Sequence, residues 1–131
     1  MGGWGAGSFE NEDAQNFISA LHALEPAELQ RILARAADHE DYLNASDSSM
    51  TIAAAEVVAT AKGNPPRAVP KQITEWIGKV EGAPSVEMLD LARRAVERVR
   101  ANSELKDLWL EAEGLNEWTA ALHDLEARLQ G

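Results

Sequence analysis

A chain of 131 residues with 45% hydrophobic and 26% charged side chains is long enough for one ordinary core and too apolar for a disordered segment. The absence of cysteine excludes disulfides and thiolate chemistry, and no apolar run approaches the ~18 residues of a membrane helix. A net charge of −10 argues against nucleic acid, whose phosphates require a basic footprint.

The chain opens on MGGWGAGSFENEDAQNF. Gly3, Gly5 and Gly7 do not make GxGxxG, no strand precedes them, and Glu10, Glu12 and Asp13 would repel a phosphate. The expected role of residues 1–10 is structural: glycines permit an irregular path, and Trp4 and Phe9 anchor an ordered leader on the core. This start has neither the basic region nor the apolar stretch of a secretory signal. Ala6 stands where N-myristoylation requires Ser or Thr, so a cytoplasmic location is expected.

Helical spacing then runs through almost the whole chain. Ala14, Phe17, Ile18, Leu21 and Leu24 follow a cap at Asn11, and Pro26 starts a second stripe of Leu29, Ile32, Leu33, Ala36, Ala37 and Leu43. NASDSSM is expected to separate this helix from an alanine-rich central one, in which Met50, Ala53, Ala54, Val57, Val58 and Ala61 make a wide apolar face ending at Gly63. Residues 63–70 (GNPPRAVP) form a loop. Pro70 opens a short helix with Ile73, Trp76, Ile77 and Val80 inward, and Ser85 caps a longer one carrying Leu89, Ala92, Val96 and Val99. Ser103 caps another, ended by Gly114, and Leu115, Trp118, Leu122, Leu125 and Leu129 complete the chain. Nothing alternates as a strand would. The expected fold is all-α: one domain, residues 1–131, of six to seven helices around the alanine helix.

Few groups suggest chemistry. His22/Glu25 and His123/Glu126 run in the order His-x-x-Glu, opposite to the Glu-x-x-His of di-iron bundles, and the serines sit at loops and caps, so no metal site, cofactor or triad is expected. Asp38, Glu40 and Asp41 lie near the C-terminal end of the second helix, where the dipole disfavours negative charge. Either Arg35 and His39 offset them internally, or they form a surface for a basic protein partner. Glu56 is the single charge between Met50 and Ala61. It reaches solvent, or it is paired with Arg93, Arg94, Arg98 or the leader, or it is a pocket carboxylate. The arginines at 93, 94, 98 and 100 are explained by intrahelical pairs with Asp90 and Glu97.

The leader GGWGAGSFENEDA, the helix IAAAEVVATAKG and the tail NSELKDLW followed by EWTAALHDLEARL resemble the bacterial domain-of-unknown-function 4259 family over nearly the full chain. The resemblance implies a small bacterial intracellular domain with no assigned activity. It places Trp4, Gly5, Gly7, Phe9, Asn11, Asp13, Ala14, Glu56 and Trp118 on motif positions without known roles, while Asn16 and Glu12 depart from the pattern.

Two functional classes follow. The first is an interaction protein, of which an immunity-type protein is one form, with an acidic surface for a basic partner. Its basis is the uneven charge: residues 1–50 hold nine acids and two bases, 51–100 six and eight, and 101–131 seven and two. The second is a small enzyme or ligand-binding domain whose pocket, between leader and central helix, uses Glu56 and Asp13. No nucleic acid or membrane is expected as a partner, and the oligomeric state is open.

Overall fold

A computed structural model describes residues 7–39, 41–80 and 82–130. These contain seven α-helices and no strand: α1 (Glu12–Ala20), continued by a 3-10 turn (Leu21–Ala23), then α2 (Pro26–Ala37), α3 (Ala45–Lys62), α4 (Lys71–Lys79), α5 (Val86–Ala101), α6 (Glu104–Glu111) and α7 (Leu115–Leu129). The fold is the expected all-α bundle. Among the described residues no helix is long and apolar enough to cross a membrane.

The helix starts follow from side chains that satisfy orphan amides. Asn11, Asn44, Ser85 and Ser103 accept the amides of Ala14, Asp47, Met88 and Lys106 at 2.8, 2.7, 3.0 and 3.1 Å. Pro26 occupies the first turn of α2, where its missing N–H costs nothing. Gly63 ends α3 with φ 104, a left-handed turn that glycine enters without strain.

The central helix packs against each of the other six α-helices. Every residue of α3 from Ser48 to Ala59 is buried except Met50, so the helix is enclosed on all sides and not along one wide face. Two properties of its sequence permit this. Ala53, Ala54, Ala55 and Ala59 have 0% exposure, their small side chains leaving room for close approach by Leu33, Ile73, Val96, Val99, Leu122 and Leu125 of the surrounding helices. The hydroxyls of Ser48 and Thr51 donate back to the carbonyls of Asn44 and Asp47 at 2.8 and 2.7 Å, so these polar groups enter the interior with partners.

Three boundaries differ from the sequence expectation. NASDSSM is no separator, because Asn44 is the cap and Ala45 begins α3. The second helix stops at Ala37, and Leu43, 1% exposed, is buried from the connection that follows it. Gly114 does not supply the left-handed residue after α6; Glu113 does, at φ 60. Glycine is needed at 114 for space, since a Cβ there would lie 2.6 Å from the ring of Trp109.

Enlarging α3 should overpack the core. Ala54→Leu is expected to lower stability by about 1–3 kcal/mol in urea unfolding, against less than about 0.5 kcal/mol for Ala20→Leu on the exposed side of α1. Glu113→Gly should raise the melting midpoint. Release of a left-handed strain of about 1–2 kcal/mol outweighs the extra freedom glycine gives the unfolded chain, and a lower midpoint would contradict this.

Candidate functional site

The all-round burial of α3 leaves one side chain out of keeping with it. Glu56 is 2% exposed, and a lone carboxylate in such a place is prohibitively costly. The cation that answers it is Arg128, from the last turn of α7. Its guanidinium meets the carboxylate as a fork, Nη1 to Oε1 at 2.7 Å and Nη2 to Oε2 at 3.1 Å. Ser8 donates its hydroxyl to Oε2 at 2.6 Å, bringing the segment before α1 onto the same group. The site is closed from the loop after α3: Asn64 accepts from Arg128 Nη1 through its carbonyl at 3.3 Å and donates its amide to the Arg128 carbonyl at 3.0 Å. Asp124, one turn back on α7, takes Nε at 2.9 Å. Burial works against the charge of Arg128, but its hydrogen bonds and attraction to Glu56 and Asp124 prevail and hold it above the usual arginine value.

A second fork lies two residues away. Arg100 of α5 binds both oxygens of Glu126 at 2.7 and 3.0 Å, and that hydrogen bonding raises the arginine above its ordinary value against the cost of burial. Glu126 and Arg128 are two positions apart, about 200° around the helix, so the end of α7 is tied to α5 on one side and to α3 on the other. His123 stands 4.0 Å from the same carboxylate, which Arg100 already occupies.

The chemistry of this arrangement is that of a clamp. Both oxygens of Glu56 are engaged by Arg128 and Ser8, while Asp13 stands exposed in the first turn of α1, so the structure does not bring these two carboxylates together. An apolar groove of about 200 Å³ does open between α2, α3, α4 and the start of α5. Leu29, Val58, Trp76, Val80 and Met88 line it, with no titratable side chain among the described residues.

Of the acids after α2, Asp38 is answered from α5. Asp38, exposed, pairs with Arg94 at 3.6 Å, and the guanidinium of Arg98 donates to the carbonyls of His39 and Asp41. Arg35, expected to serve Asp38, instead reaches Asp47 at 3.4 Å. Asp41 is exposed, and Glu40 lies outside the described residues. Arg93 and Arg94 form the expected intrahelical pairs on Asp90, at 2.6 and 3.1 Å, and their hydrogen bonds hold that carboxyl below its ordinary range.

Of the leader and motif residues, Asn11 caps α1, Phe9 is half-buried against the core, and Trp118 is 2% exposed. The carbonyl of Gly7 accepts the Glu10 amide at 3.1 Å, and Trp4 and Gly5 lie outside the described residues. Sequence reasoning missed Arg128 and Arg100 as the partners of buried acids. A signal was present for the first: Arg128 flanks the inward stripe of Leu125 and Leu129 and lies four residues from Asp124.

Tyr42, the one tyrosine, donates its hydroxyl to Asp107. That hydrogen bond, helped by desolvation and by the negative charges of Asp107, Glu104 and Glu111, pushes the phenol up to about 12.

Two measurements check these assignments. Arg128→Met should destabilise by about 3 kcal/mol or more, and the double variant Glu56→Gln/Arg128→Met by less than the sum of its singles, because an uncompensated buried charge costs more than an absent pair. The rise in phenolate absorbance should be centred near pH 12 and move toward 10.0 in Asp107→Asn. The raised phenol favours folding below its unfolded value, and that contribution disappears as pH climbs through 12.

Comparison with curated proteins and with solved structures finds no match. Residues 2–121, which include Ser8, Glu56 and Trp118 and stop short of Glu126 and Arg128, match the family described as Domain of unknown function (DUF4259). On that match over most of its length, the chain belongs to this family.

Proposed function

We propose that the protein is a bacterial cytoplasmic interaction module that binds a basic protein partner, an immunity-type protein masking a basic toxin or enzyme being one form of it. The observation that carries this reading is how the fold distributes its charges. Among the described residues, six of the twelve Lys and Arg side chains are in ion pairs. Lys62, Arg98 and Lys106 are turned onto backbone carbonyls. Acids such as Glu12, Asp13, Asp107, Glu111, Glu113 and Glu117 stand exposed without an ion pair among the described residues. The excess negative charge among the described residues therefore resides on the surface, where it raises encounter rates with positive partners and repels nucleic acid and anionic membranes. The carboxylates buried within the fold are neutralised by arginine and support the bundle.

The test is capture of partners from the host lysate at two salt concentrations, followed by reconstitution from purified components. A basic protein whose complex re-forms and weakens markedly between about 50 and about 300 mM salt supports the reading. A complex indifferent to salt, or an acidic partner, overturns it.

A further inference from the structure

Among the described residues three large apolar side chains are left exposed: Tyr42, Val86 and Leu110. Two of these belong to one face. The hydroxyl of Tyr42 bonds to Asp107 on α6, and Leu110 lies three residues beyond Asp107, hence beside it on the helix surface. Glu111, four residues from Asp107, shares that side. The opposite side of α6 is the buried one, where Leu105 and half-buried Trp109 face α3, α5 and α7. No described element covers the outer face.

We propose that the face made by Tyr42, Asp107, Leu110 and Glu111 docks a basic amphipathic helix of a partner protein, whose apolar ridge covers Tyr42 and Leu110 and whose lysines or arginines meet the two acids. This rests on the interaction-module reading and gives it a location. Charge complementarity selects the occupant. From Glu104 to Glu117 the chain has five acids and one cation, Lys106, which is turned onto the Ala101 carbonyl at 3.1 Å. Asp107 and Glu111 have no ion-pair partner among the described residues. A second copy of this chain would bring another net charge of −10 against the first, and like charge opposes that pairing.

Spacing selects the helix. Acid, leucine and acid recur within one turn of α6, a repeat that a helix lying alongside matches with its own. The face is also preorganised, because the Asp107 bond holds the Tyr42 ring in place and lowers the cost of ordering it on contact. The acids after α2, which sequence reasoning favoured for this role, make a poorer surface: Asp38 already has Arg94, and Arg98 pins the backbone around them.

The probe is a fluorescently labelled synthetic helix of lysines with one leucine stripe, titrated by anisotropy. A control peptide of equal charge has its leucines dispersed. Leu110→Ser and the double variant Asp107→Asn/Glu111→Gln alter exposed groups, and circular dichroism confirms their folding. Each should lose about tenfold in affinity, while Glu12→Gln/Asp13→Asn, which removes the same charge elsewhere, should lose less than about twofold. Equal losses from the two acid pairs, an unchanged Leu110→Ser, equal binding of the control peptide, or no binding would each overturn the proposal. The partner captured from lysate separates the two readings. Salt-sensitive binding that ignores the α6 variants defeats this location and leaves the module standing, whereas absence of any basic partner defeats the module itself.

Discussion

The carboxylate of Glu56 sets the strictest condition on this bundle. A helix enclosed on every side excludes the water that would otherwise solvate a charge, and removing a carboxylate from water costs several kcal/mol unless a cation and further hydrogen bonds replace it. Here the cation comes from the last turn of α7 and a hydroxyl from the segment before α1, with the turn after α3 closing over the guanidinium. Portions of chain at the start, middle and end of the sequence are thereby held to one point. A well-packed apolar trio in their place would lack that directional requirement, whereas the bidentate geometry of the pair fixes one placement of α7 against α3.

The second fork, Arg100 to Glu126, extends the same logic to α5. One short stretch of α7 offers an acid to one neighbour and a base to the other, which fixes its rotation as well as its position. Because each fork is neutral within itself, neither changes the external field of the protein. The acids that determine that field are the ones the interior does not use, among them Glu111, Glu113 and Glu117 where α6 turns into α7.

Much of the architecture was legible because it rests on local physics. The caps at Asn11, Ser85 and Ser103, the proline at the start of α2 and the terminator Gly63 act within a few residues of themselves, and periodicity exposed the inward stripes. What was not legible required knowledge of distant neighbours. That α3 is enclosed on all sides depends on six other helices, so Ser48, within NASDSSM, looked like part of a polar connection until its carbonyl partner one turn back was known. Glu56 stood out by composition alone, yet its partner is 72 residues away, and the local pattern of α7 marks Arg128 as flanking an inward stripe without saying which acid it meets. The acids after α2 were singled out for their unfavourable place near a helix end, but the arginines that relieve it come from α5.

The enclosure of α3 has a bearing on how the molecule opens. Partial opening that detaches a single outer helix leaves the others covering the alanine segment, and its backbone amides gain solvent only when the assembly comes apart as a whole. Deuterium uptake at Ala53 to Ala59 is thus a direct gauge of global unfolding, while the faces of α6 and α1 that border solvent report the smaller, faster fluctuations.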